Sequence, residues 1–347
     1  MRRRPTDGPP GIGVTGAADG LGRALLERLA LRTDLGCLVG LDPAWRADRL
    51  EGLTTVVHLA LSFDPAAEPR SRRALNVGGT ASLLEAAREA GVQRVVLVTG
   101  VDVYGAVAGT AVPLPEQAPL RAEPDDSLTG DLVQVERLAD QASRTGLDLV
   151  VLRPATLVGG ALGPAYDGAQ LHSLAGSRLL AVRGVEPLWQ LCHTDDLLAA
   201  LELAALGSVG GVGGVGGVGG AMAVGCDGWL TQREVEHLSG RRRFELPAAV
   251  AMSTAERLHR IGVTAGSPHE LDRLLFPLVV EPRRLRAAGW TPAWTNAAAL
   301  AAHLDTVGRR DRQGPHGRAG TYTAAGATVA MIGTAALVRR ARQRRGR

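Results

Sequence analysis

The chain has 347 residues, 45% of them hydrophobic, and a formal net charge of +4, which allows one large domain or a domain with a smaller lobe. Every basic residue is an arginine, and the net charge gathers at the two ends, which excludes a nucleic-acid-binding face on the body. Cys37, Cys192 and Cys226 are far apart and no histidine shows metal-ligand spacing, so neither a disulfide framework nor a metal site is expected, and a reducing cytosol is.

Residues 1–10 read as a disordered tail: arginines, then Pro9 and Pro10, without the apolar stretch of a signal peptide. Short apolar runs then alternate with helical patterns, which predicts an α/β fold with a Rossmann-type doubly wound parallel sheet over 11–206. Strands are expected at Ile12 to Val14, Cys37 to Leu41, Thr55 to Leu59, Arg94 to Val98 and Leu149 to Leu152. Helices are expected at Leu21 to Leu31, Ala74 to Ala90 and Leu132 to Arg144. Parts of 155–190 are open to either unit. Residues 207–220 hold tandem Val-Gly-Gly units from Val209, too simple to bury a face, and read as a flexible insertion. A smaller C-terminal α/β lobe is expected over 221–306 and a polar linker over 307–320.

Residues 321–347 form an apolar helix plus an arginine tail. Positions 322–338 carry no charge, and at 1.5 Å per residue such a run makes about 25 Å of helix, the short limit for a membrane span. An Ala-rich amphipathic or disordered tail is an equal reading. Of the membrane-associated forms, a helix lying on the inner surface, with its arginines against anionic lipid, suits a cytoplasmic domain better than a span.

The string Thr15-Gly16-Ala17-Ala18-Asp19-Gly20-Leu21-Gly22 follows a strand and opens a helix. Its glycines suit a tight turn where backbone amides meet a pyrophosphate, which makes Gly16, Ala18, Asp19, Gly20, Leu21 and Gly22 cofactor-binding candidates. Asp42 ends the second strand twenty residues after Gly22. There a carboxylate accepts from ribose hydroxyls and repels a 2′-phosphate, favouring NAD over NADP; the competing reading is a turn aspartate before Pro43.

Further stretches fall in a familiar order: Val56-Val57-His58-Leu59-Ala60, Asn76-Val77-Gly78-Gly79-Thr80, Val103-Tyr104-Gly105, Leu152-Arg153-Pro154-Ala155 and His193-Thr194-Asp195-Asp196. With the glycine turn they resemble the extended short-chain dehydrogenase/reductases of the NAD-dependent epimerase/dehydratase family. The resemblance implies a sugar-nucleotide or related substrate, a homodimer as a candidate assembly, and Leu59, Ala60 and Thr99 as further cofactor contacts. It places Tyr104 beside the nicotinamide and offers Arg153 to an anionic ligand, each against an ordinary structural reading. His58 reads as a packed residue, and Thr194 or Asp195 as the cap of a helix running to Leu206.

Two departures stand out. Thirteen residues separate Asp42 from the strand near Val56, where the family normally adds a helix and a third strand. The resemblance also implies catalysis by a tyrosine, a lysine four residues on and a serine or threonine, yet those positions carry Leu128, Leu132 and Gly100, and the chain has no lysine. The expectation is therefore a dinucleotide-binding protein without the standard catalysis, acting as a binding or regulatory protein. One alternative is an atypical NAD-dependent epimerase or reductase using Thr99, Tyr104 or Asp131. The other is a membrane-associated scaffold.

Overall fold

In a computed structural model, the described residues are 8–18, 20–41, 46–64, 67–160, 178–207, 220–251, 253 and 272–312. The first unit runs β1 (Gly11–Thr15), α1 (Gly20–Leu29), β2 (Cys37–Leu41), α2 (Ala47–Leu50), β3 (Thr55–His58), α3 (Pro69–Arg73), α4 (Thr80–Ala90), β4 (Arg94–Val98), α5 (Leu128–Arg144) and β5 (Asp148–Pro154). It continues through β6 (Thr156–Val158), β7 (Arg178–Val182), β8 (Leu188–Trp189), β9 (Leu191–His193) and α6 (Thr194–Leu206). Then follow β10 (Gly220–Val224), β11 (Leu230–Thr231), α7 (Gln232–Ser239), β12 (Arg242–Leu246), α8 (Asp272–Leu275), α9 (Arg283–Ala287) and α10 (Asn296–Arg312).

Six parallel strands form the large sheet in the order β2-β1-β3-β4-β5-β10. Its central strands β4 and β5 hold continuous Val and Leu runs because helices cover both faces. Alternate residues of β4 serve opposite cores. Val96 and Val98 join Leu25 and Leu29 of α1 and Leu197 and Leu201 of α6, while Val95 and Leu97 join Leu83 and Ala87 of α4 and Val135 of α5. Among the described residues β2 is the outer strand on its side, with Cys37 and Val39 exposed. β3 pairs directly with the other flank of β1. The short span after Asp42 contains the four-residue α2, whose Leu50 plugs the lower core.

Several expected boundaries shift. β10 pairs with β5, so a lobe beginning at 221 cuts through the sixth strand of the sheet, and Gly220 belongs to that strand rather than to the insertion. The smaller lobe is interleaved instead: Val158, Leu179, Trp189 and Leu191 pack with Leu230, Val235, Ala299 and Leu300. The helical stretch expected from Ala74 starts at Pro69, capped by Glu68, and passes through a π-helical turn at Ala74–Gly79. The expected linker begins too early, because α10 continues to Arg312. α5 starts at Leu128, one turn before the expected Leu132, because Ser127 Oγ accepts from Gly130 N at 3.0 Å and supplies the cap. The repeat at 208–219 and the tail at 321–347 lie outside the described residues. Among the described residues no helix is long and apolar enough to cross a membrane.

Candidate functional site

The glycine turn sits between β1 and α1. Gly16 holds φ +67°, a left-handed conformation that favours glycine, and a Cβ there would come within 2.9 Å of Leu59 O. At Gly22 a Cβ would lie 2.1 Å from Gly16 O, so only glycine lets α1 approach the turn this closely. Leu21 faces the core, leaving its backbone to the turn, while Ala18 is exposed. The amides at the start of α1 have no intrahelical partners and suit an anion. Asp19 and Asp42 lie outside the described residues.

A buried polar chain fixes the opposite wall of the turn. Thr15 Oγ1 accepts from Leu59 N at 3.0 Å and Ala60 N at 3.1 Å, so its own proton is directed to His58 Nδ1 at 2.8 Å. His58 Nε2 lies 3.2 Å from Thr80 Oγ1, which donates to Asn76 O at 2.5 Å. Asn76 in turn clasps the backbone of Ser62, at 2.7 and 2.9 Å. Complete burial lowers the His58 pKa from 6.5 to about 3, so the ring is neutral, and this donor order puts its proton on Nε2. His58 is thus a packed residue that ties β1, β3 and α4 together.

The positions that the resemblance assigns to catalysis hold Gly100, Leu128 and Leu132. Leu132 is buried and Leu128 half-buried, in an apolar cluster with Phe63, Val103, Leu120, Ala122 and Val133. Neither leucine offers a proton. Thr99 donates to Glu136 Oε1 at 2.7 Å, and Glu136 also receives Arg153 Nε at 2.8 Å and its Nη2. Tyr104 donates to Glu116 O at 2.7 Å beneath the Arg153 guanidinium, which lies 4.7 Å from its ring centre. Burial raises the Tyr104 pKa, moving it further from use as a base. Asp131 is fully buried between Arg72 Nε at 2.8 Å and Arg73 Nε at 3.0 Å. Arg153 is likewise committed internally rather than offered to a ligand.

Three carboxylates here had no motif to announce them. Glu136 stands four residues beyond Leu132, a helical spacing that puts it on the same face. Glu116 accepts from Ala223 N at 2.8 Å and Arg284 N at 3.0 Å, and burial raises its pKa. Asp102 pairs with Arg273 at 3.1 Å, from a helix 171 positions away. The cap of α6 is also corrected: His193, not Thr194 or Asp195, takes that place, its Nδ1 accepting from Asp195 N at 3.2 Å while its ring stacks on Trp294.

The model of the NAD dependent epimerase/dehydratase family matches residues 12–212. An uncharacterized protein of Mycobacterium tuberculosis is 28% identical over 254 residues, which cover 71% of this chain and 64% of that protein. The chain thus spans less than two thirds of the length of such curated relatives. UDP-glucose 4-epimerase from Thermotoga maritima, solved with UDP-glucose, aligns with a TM-score of 0.63 at 17% identity, covering 87% of this chain and 99% of that one. UDP-glucuronic acid 4-epimerase from Bacillus cereus, solved with NAD, aligns with a TM-score of 0.63 at 14% identity, covering 86% and 99%. These likenesses establish a shared fold.

Proposed function

Since this chain belongs to the NAD dependent epimerase/dehydratase family, we propose that it binds an NAD-type dinucleotide along the Gly16 to Gly22 turn and does not perform the tyrosine–lysine chemistry of that family. The observation that carries the reading is the contrast within one cleft. At one end the turn keeps the close approach of Gly22 to Gly16 and the amides of the α1 start, which fit a pyrophosphate. At the other, Leu128 and Leu132 are packed among apolar side chains where the proton-transfer pair would stand. The solved epimerase from Bacillus cereus binds NAD on the same fold, which supports the cofactor assignment.

Relocated acid–base chemistry at Thr99, Tyr104 or Asp131 finds no support, because each is committed to an internal partner. The protein is read as a dinucleotide-dependent binding or regulatory protein that also accepts a small-molecule ligand. Preference for NAD over NADP rests on Asp42, and Asp42→Ala weakens NAD binding by about 1–3 kcal/mol, the loss of a charged acceptor for a ribose hydroxyl. The test is calorimetric titration of the full chain with NAD and NADP, followed by incubation with NAD and a broad sugar-nucleotide panel. Binding without turnover is expected. Robust turnover overturns the non-catalytic part, and absence of dinucleotide binding overturns the whole.

A further inference from the structure

Three arginines of this protein, Arg32, Arg94 and Arg153, share one arrangement. Arg32 sets Nε and Nη2 on the two carboxylate oxygens of Asp34 at 2.8 and 2.5 Å and sends Nη1 to Glu202 at 3.0 Å. Arg94 sets Nε and Nη2 on Asp148 at 2.9 and 2.6 Å, with Nη1 on the carbonyls of Ala204 and Gly207. Arg153 grips Glu136 by the same edge and reaches Glu116 O with Nη1 at 3.3 Å. The side edge of a guanidinium presents two parallel donors that match a carboxylate, which leaves Nη1 for a second acceptor.

Arg273 has only half of this arrangement. Its Nη1 contacts Asp102, its Nη2 donates to Thr156 Oγ1 at 3.2 Å, and its Nε is buried without an acceptor among the described residues. The side chain is 13% exposed, so an unmatched donor there carries a desolvation cost. Its position is also informative. A Cβ built at Gly100 falls 3.6 Å from Asp102 Oδ2, and Thr156 opens β6, so Asp102 links Arg273 to the neighbourhood of Gly100, the position to which the family resemblance assigns a substrate-holding hydroxyl.

We propose that the Nε–Nη2 edge of Arg273 recognises the carboxylate of a small carboxylic-acid ligand, while Asp102 holds the guanidinium from the Nη1 side. The proposal rests on the reading of this cleft as a ligand site beside the dinucleotide turn. The incoming carboxylate takes the place of Thr156 on Nη2, a contact at the long end of the hydrogen-bond range, and supplies the acceptor that Nε lacks. Arg32, bracketed by Asp34 and Glu202, is the completed form of the same arrangement. A monoanionic carboxylate fits better than a dianionic phosphate, because Asp102 already places one negative charge on this guanidinium.

The test uses the full chain saturated with NAD and a fragment set in which each carboxylic acid is paired with its primary amide, followed by ligand-observed NMR. Acids are expected to bind about tenfold more tightly than their amides, as a charged bidentate contact requires. Arg273→Gln is expected to abolish that preference without changing NAD affinity. Asp102→Asn, which leaves the recognising edge intact, is expected to keep it. Equal binding of acids and amides, no acid binding, or a preference that survives Arg273→Gln overturns the proposal, as does its loss in Asp102→Asn. Repeating the set without NAD, beside the NAD titration, separates the two readings: acid preference in a chain that fails to bind NAD removes only the cofactor assignment.

Discussion

The region around the glycine turn and the region around Leu128 and Leu132 are built by opposite means. Around the glycine turn, buried polar atoms form a continuous chain from Thr15 through His58, Thr80 and Asn76 to Ser62, each with a partner. Such a chain fixes loop positions because breaking one link strands a buried donor or acceptor. Around Leu128 and Leu132 the contacts are apolar and directionless, and polar groups withdraw one layer deeper into the Thr99–Glu136–Arg153 cluster. The first region is organised to position backbone; the second is organised to exclude water. The turn thus keeps close backbone contacts, while Leu128 and Leu132, at the positions proposed above for the proton-transfer pair, are packed among apolar side chains.

The sharpest break of that contrast is Leu132→Lys, which restores one residue of the family pattern. Leu132 is 3% exposed in an apolar cluster with Phe63, Val103 and Val133, and Glu136 one turn on is already taken up by Thr99 and Arg153. An ammonium buried there destabilises the fold by about 4 kcal/mol, unless it loses its proton. Urea unfolding is expected to show that loss, with no gain of turnover. Activity together with unchanged stability would show that the apolar end is a poised site rather than core. At the turn, Gly22→Val drives a branched side chain into Gly16 O and costs about 3 kcal/mol. The same titration that reports NAD binding in the wild type is expected to report none in this variant. Retained affinity would move the dinucleotide away from the turn.

The turn was legible in the sequence because it is local: strand, glycines and helix lie within a dozen residues, and their backbone demands are written in residue type. The parallel sheet was legible for a similar reason, since buried strands are continuous apolar runs. Sequence reading erred where tertiary pairing decides. Nothing local distinguishes Gly220 to Val224 as the sixth strand, because its identity rests on pairing with Val150 to Pro154 across the insertion. The His193 cap escaped because threonine and aspartate are the commoner caps, whereas here Trp294 stacks on the imidazole and holds it in place. Leu128 and Leu132 revealed what was missing, but not what fills the space. Phe63 and Leu120 come from separate loops, and the Asp102–Arg273 pair joins positions that no spacing rule connects.

The mildest prediction concerns acid, and it tests the polar end alone. His58 is neutral when folded, with a pKa of about 3 against 6.5 for an exposed ring. Because the folded value is depressed, the unfolded chain binds the extra proton as pH falls below 6.5. Stability is therefore full above that value and declines toward pH 3, at about 1.4 kcal/mol per pH unit in the steep part. Burial of Glu116 acts in the opposite sense, since its raised pKa favours the folded state below about pH 4.5 and is felt as a loss when pH rises through its folded value. His193, lowered by burial, adds a slope of the same sign as His58. Both remain in a His58→Gln variant, whose amide can still accept from Thr15 and donate to Thr80, so the difference between the two pH profiles isolates His58. Urea unfolding from pH 7 to pH 4.5 is expected to give a shallower acid limb for the variant. Parallel limbs would mean that His58 charges without opening the fold, and that the polar chain behind the turn yields more easily than its burial implies.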